Sequence, residues 1–349
     1  MNSLKRIPAL LLCLGFLLAL TGCGSVAATE KQLFAMNSAI TIKAYGKSAQ
    51  SGIDSAVSVI NSMDSALNPK YDGSTVNAIN SSQGQSVVLT GQVAEMLLTA
   101  QKVYSLSGGS FDPTVYPLVK AWGFIDGLYR VPSESEIEGL VKNVDFSKVS
   151  ISAMSDSDSY LLTMPAGMEL SFAAVGRGCA AMYAVRAMEA AGVESGIVSI
   201  GGNVQALGTK PDGSDWIIAV QNPTNPAEYV CTLNLKEGCA VVTSGGYQRY
   251  FTDDDGNTWT HLIDPNDGYP AESGLLSATV VCDDGIFADA LSTALCIMGE
   301  DKAVKLYEDS GEDFEMLLIT DDGRILVSDG LIESVERSND DFTVEYVRK

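Results

Sequence analysis

Residues 168–222 restrict the architecture more than any other part of the chain, because strand, helix and hairpin signals follow one another there without a break. A strand-like run feeds the Gly176-Arg177-Gly178 turn, and a helix of small residues extends to Ala191. A strand over 196–200 then meets the pair Gly201-Gly202 and a hairpin that turns at Lys210-Pro211-Asp212-Gly213. Strands closed by tight turns beside a helix predict an α+β fold, with mixed or antiparallel sheets and packed helices. A helix that begins at a glycine turn also points backbone donors outward, which suits a phosphate. The spacing is neither a P-loop nor GxGxxG, so the residues alone leave an anion site and a simple helix start both open.

The chain before this block has the same mixed character. Residues 33–45 alternate from Ile40 and predict one strand. Ala56, Val59, Ile60 and Met63 mark an amphipathic helix broken at Asn68-Pro69, and Thr90 is placed to cap a second, stronger helix. In residues 107–124, SGGSFDPTVYPLVKAWGF, two glycines and two prolines interrupt an apolar segment, either as a helix stop and ordered loop or as backbone shaped for a ligand. Ser133 and Glu136 have capping-box spacing, and SAMSDSDSY predicts a turn between two strands.

With 349 residues, 46% of them hydrophobic, the chain can bury a large core, and a formal charge of −22 argues against a nucleic-acid partner. At the N-terminus, Lys5 and Arg6 precede an apolar run from Ala9 to Leu20, followed by Leu20-Thr21-Gly22-Cys23. The run has the length of a secretory signal, and the four residues look like a bacterial lipobox; an ordinary signal peptide with an incidental cysteine is the alternative. The expectation is a signal peptide over 1–22, a lipidated Cys23 with a tether over 23–32, and a domain over 33–349 on the extracytoplasmic face of a bacterial membrane. Five cysteines remain beyond Cys23 and include no CxxC pair; Cys231 and Cys239 bound a predicted hairpin and could pair.

The last informative stretch runs from His261, the only histidine, to Thr293. His261 falls near a strand end before a proline turn, and the three aspartates of DDDGN predict an exposed hairpin tip, since no EF-hand glutamate follows. Asp289 and Thr293 lie four residues apart on one face of a predicted helix. They are either a cap and a helix threonine or two oxygen ligands for a hard cation.

Taken together, FAMNSAITIKAYG, SGGSFDPTVYPLVKAWGF, GRGCAA, VSIGGNVQALGTKPDG, VVTSGGYQRYF, HLIDPNDGYP and ADALSTAL resemble, in order and spacing, the ApbE-type FAD:protein FMN transferase family. The resemblance runs from about Leu33 to Gly299. It implies a T-fold-related architecture, lipoprotein export, and Mg²⁺-dependent transfer of the FMN half of FAD to a Thr or Ser hydroxyl of an exported acceptor protein of a membrane redox system, releasing AMP. An FAD-binding or FAD-hydrolysing lipoprotein and a non-flavin lipoprotein are the other readings. By the same resemblance, Asp289, Thr293 and the carbonyl of Ala174 would hold Mg²⁺. His261 would act as general base or orient the nucleophile, and Met36, Tyr71, Ser110, Phe111, Asp112, Ser171, Arg177 and Ile263 would touch FAD.

The chain also departs from the family pattern. Where the family usually has Asp-Leu-Gly-Gly-Ile-Ala-Lys-Gly, this chain has Ser171 through Gly178, so a carboxylate becomes Ser171 and a lysine becomes Arg177. Ser171 supplies no charge, and Arg177 keeps charge with a different geometry. Asp267 stands where threonine is usual before Gly268.

Overall fold

The computed structural model describes residues 27–155, 158–235, 238–337 and 341–349; the segment read as a signal peptide and Cys23 lie outside them. Its centre is a sheet of nine strands: β1 (Thr29–Ala35), β2 (Ser38–Ala44), β6 (Gly196–Ile200), β7 (Asn203–Leu207), β10 (Ala240–Gly245), β13 (Leu275–Cys282), β14 (Glu315–Thr320), β15 (Arg324–Ser328) and β17 (Thr343–Val347), in that spatial order. Every neighbouring pair is antiparallel except β15 with β17. A second sheet joins β8 (Trp216–Gln221), β9 (Tyr229–Leu235) and β16 (Val335–Arg337). A third joins β3 (Val87–Thr90), β4 (Ser150–Ala153) and β5 (Ser159–Thr163), and β11 (Tyr250–Thr252) with β12 (Thr258–Thr260) forms a lone hairpin. The α+β expectation is met.

Alternation along the strands makes the large sheet a middle layer. Val242, Val280, Met316 and Leu318 point to one side, into a core shared with α1 (Ala49–Leu67), α3 (Gly91–Leu106), α6 (Gly176–Ala190) and α7 (Gly285–Met298). Val241, Val281, Leu317 and Ile319 point to the other, against Trp216, Val220, Val230 and Leu233 of the second sheet. The shorter helices α2 (Thr75–Asn80), α4 (Tyr116–Ala121), α5 (Glu134–Val141) and α8 (Glu300–Asp309) lie at the margins. Leu118, Trp122, Phe124, Ile137 and Ile263 form a separate apolar cluster that meets Phe251 and Trp259 of the lone hairpin.

Three local findings depart from the sequence reading. The run 33–45 is two strands, because Met36 and Asn37 both adopt positive φ (52° and 53°) and turn the chain in a two-residue hairpin, with Ala35 opposite Ser38. β1 begins at Thr29, inside the stretch read as tether, since Thr29 already pairs with Ala44. Cys231 and Cys239 form no disulfide: Cys231 is buried, and Cys239 Sγ lies 3.6 Å from an Asp283 carboxylate oxygen. The Ser133 hydroxyl caps α5 by accepting from Glu136 N, as its spacing predicts. Thr90 does stand at the N-cap of α3, but its side chain makes no capping bond.

Candidate active site

A cleft of about 410 Å³ opens between the hairpin turn at Met36, the loop over 110–113, the start of α6, and the segments around Arg249 and His261. Of the residues singled out in the sequence, Met36, Ser110, Phe111, Asp112, Ser171, Ala174, Arg177, His261, Ile263 and Thr293 line it. Met36 and Thr293, 257 positions apart in the chain, thus share one wall, and α6 and α7 cross on the same face of the sheet. At that crossing Gly178 meets Gly285 so closely that a Cβ on Gly178 would stand 2.0 Å from the Gly285 carbonyl oxygen.

Asp289 lies behind Thr293, fully buried and outside the cleft wall itself. Its Oδ2 accepts from Gly178 N at 2.8 Å, so the amide end of α6 is answered by a carboxylate of α7. The donors expected to face a phosphate at this helix start are thereby partly engaged within the protein. Oδ1 has no hydrogen-bond partner. Burial pushes the Asp289 pKa up, while Arg177 and Gly178 N pull it down. One turn on, Thr293 Oγ1 lies 3.1 Å from Ser244 Oγ, and both residues line the cleft. Among the described residues no group of three or more His, Cys, Asp or Glu side chains could hold a metal. The Asp289 carboxylate, Thr293 hydroxyl and Ala174 carbonyl are all oxygen donors, the kind that suits a hard cation, and Oδ1 of Asp289 is not engaged by a hydrogen bond.

His261 follows β12, and both its backbone N (3.2 Å) and its Nδ1 (3.1 Å) point to the Arg249 carbonyl. A carbonyl can only accept, so Nδ1 carries the proton and Nε2 keeps its lone pair. Burial, then Arg249 and Arg177, lower the imidazole pKa to about 4, so the ring is neutral near pH 7. Arg249 is a cleft residue that sequence reasoning passed over. It lines the cleft, and burial together with Arg177 lowers its own pKa. Among the described residues neither guanidinium forms an ion pair. Lys70 adds a third cation, its Nζ 3.4 Å from the Ile125 carbonyl. The available signal was a lone arginine in VVTSGGYQRYF, within a chain holding only 22 basic residues.

Two expected ligand contacts have other geometry. Asp112 is buried with both carboxylate oxygens engaged: Oδ1 accepts from Thr114 N (2.7 Å) and Thr114 Oγ1 (2.6 Å), and Oδ2 accepts from Phe146 N (2.9 Å). Its carboxylate shapes the loop that forms the wall. Tyr71 stands outside the wall and is exposed, since the turn from Asn68 to Ser74 folds it beside Gly73 and leaves Pro69 and Lys70 facing the cleft. Met36 is held by its N–H, which donates to Asp64 Oδ1 at 3.0 Å. Ser171 is fixed by its backbone N–H to the Pro113 carbonyl and by its hydroxyl, which accepts from Ala173 N.

An α+β scaffold with unpaired guanidiniums, an orphaned carboxylate oxygen and a neutral imidazole around one cleft defines an enzyme-like site for a phosphorylated ligand. The ApbE family model matches residues 36–318, and the chain belongs to that family. It is 29% identical over 263 residues to the FAD:protein FMN transferase of Escherichia coli (strain K12), covering 74% of each chain. It is 26% identical over 319 residues to the enzyme of the same name from Treponema pallidum (strain Nichols), covering 87% of this chain and 88% of the relative. The crystal structure of the ApbE protein of Thermotoga maritima superposes with a TM-score of 0.78 at 27% identity, covering 90% of this chain and 97% of that one.

Proposed function

We propose that this chain transfers the FMN half of FAD to a Thr or Ser hydroxyl of another protein. The acceptor oxygen forms a new bond to the FMN phosphorus, the bond from that phosphorus to the bridging oxygen breaks, AMP leaves, and His261 Nε2 takes the hydroxyl proton. Family membership supports the reaction class. The observation that carries the site assignment is the meeting of Arg177 and Arg249 in one cleft with no ion pair to either among the described residues, although the chain carries 44 acidic residues. Two like charges held together in a strongly acidic protein suit a pyrophosphate.

Mg²⁺, when bound, would neutralise charge on the pyrophosphate, and Asp289, Thr293 and the Ala174 carbonyl are the residues that would hold it. The protein's own groups do the rest. Arg249 fixes the imidazole tautomer through its carbonyl, Arg177 and Arg249 orient the phosphates, and Met36, Ser110, Phe111, Ser171 and Ile263 border the space for the dinucleotide. The acceptors would be exported proteins of membrane redox systems, met at the membrane surface by a chain anchored through Cys23. The lipobox-like residues before Cys23 support the anchor, and incorporation of labelled fatty acid that survives Cys23→Ser would sink it.

The reaction is tested by incubating the chain with FAD, Mg²⁺ and a candidate acceptor. The expected product is an acceptor that is fluorescent and heavier by one FMN, with AMP released. AMP without acceptor labelling would replace this reading with FAD hydrolysis.

A further inference from the structure

Behind the cleft, where β7 lies against α6 and α7, four side chains carry buried polar atoms without hydrogen-bond partners: Asn203 at both ends of its amide, Gln205 at Oε1, Asp289 at Oδ1 and Arg177 at Nε. Asn203, Arg177 and Asp289 are neighbours: the Asn203 side chain approaches the Asp289 carboxylate as a hydrogen-bonding group and Arg177 acts on it through its charge, both favouring its charged form, yet neither approach closes a hydrogen bond of good geometry. Asn203 is 1% exposed and is the first residue after the Gly201-Gly202 turn, paired with Ile200 and Val242, so its backbone is fixed by two strands. An orphaned buried polar atom loses its hydration without a replacement bond, and a core built for stability alone avoids grouping such atoms. Asn203 is also no part of the cleft wall, so a direct contact with FAD does not account for it.

We propose that Asn203 is a positioning residue for Asp289: with Oδ2 tied to Gly178 N, its amide fixes the rotation of the carboxylate so that Oδ1 is held ready for a divalent cation. The proposal rests on the Mg²⁺ reading of Asp289 and Thr293. The amide's own hydrogen bonds are completed only when the cation and its waters are present, as for outer partners of metal ligands generally.

The test is Asn203→Leu, close in size and without polar atoms, in the full chain and without FAD. Mg²⁺ affinity by titration calorimetry should fall about 10- to 100-fold. The metal-free melting temperature should hold or rise, because two unsatisfied atoms are removed. Asn203→Ala, which fits the site sterically, should show the same loss of Mg²⁺ affinity with an unchanged far-ultraviolet circular dichroism spectrum. Mg²⁺ affinity within twofold of the parent in either folded variant overturns the proposal. Asp289→Ala separates the two levels. If that variant binds Mg²⁺ like the parent, the metal reading itself fails; if it loses Mg²⁺ while the Asn203 variants keep it, only the positioning role fails.

Discussion

His261 is the only histidine in the chain, so its titration can be followed by proton NMR without assignment. Its pKa in the ligand-free protein is expected at about 4. Arg249→Gln removes the larger of two cationic neighbours and should raise it, by a shift readable in the same spectrum; an unchanged value would mean that burial alone holds the ring neutral. The same depression links pH to stability. The unfolded chain binds this proton near the ordinary imidazole value of 6.5 and the folded chain only near 4, so stability from this group is complete above pH 6.5 and is lost as pH falls toward 4. The loss is on the order of 3 kcal/mol, and a denaturation series over that window should be flatter in His261→Asn than in the parent. That substitution should also lower FMN transfer by about 10²–10⁴-fold with FAD still bound, and transfer at the parent rate would remove His261 from the chemistry. Residue type and motif position made His261, Asp289 and Thr293 legible in the sequence. Arg249 was not, because an arginine signals function only once its lack of a partner is visible.

At the level of elements, the site depends on how close two helices come. The start of α6 and the first turn of α7 touch through Gly178 and Gly285, and this approach lets Gly178 N reach Asp289 Oδ2. Gly178→Ala would push a methyl group into backbone that cannot yield, so α7 must move and take Asp289 and Thr293 with it. We expect a loss of about 3 kcal/mol in chemical denaturation and a matching loss of Mg²⁺ affinity. A variant with parent stability would mean that the helices slide freely at this point. The GRG turn was visible in the sequence as a helix start, but the facing glycine of α7 lies 107 positions away and no local pattern pairs them. The Met36-Asn37 hairpin was hidden for a related reason. Methionine is not a turn residue, and its left-handed backbone is held by Asp64 from α1, a contact that only the fold supplies.

Across the whole molecule, the large sheet extends beyond the part that carries the site. The family match ends at residue 318, within β14, yet β15 and β17 continue the sheet, with Ile325, Leu326 and Val327 buried on both faces of β15. β17 is the parallel strand that covers the outer edge of β15, and its own Val347 is buried. The continuous apolar runs over 316–319 and 325–327 suit strands buried on both faces, whereas the order of the strands in the sheet is not legible, because pairing partners are set by packing rather than by neighbours in the chain. Removing residues 343–349 should therefore expose the β15 edge, lower stability by about 3 kcal/mol and promote self-association, without touching any residue of the cleft. Melting temperature and light scattering read the first two effects, and FAD affinity at a temperature where the truncated chain is folded reads the third. If FAD affinity falls along with stability, the edge strand and the cleft are energetically coupled and the sheet does more than support the site. If it holds, the catalytic cleft belongs to the helices and the strands from β1 to β14, and the last strands serve to close the sheet.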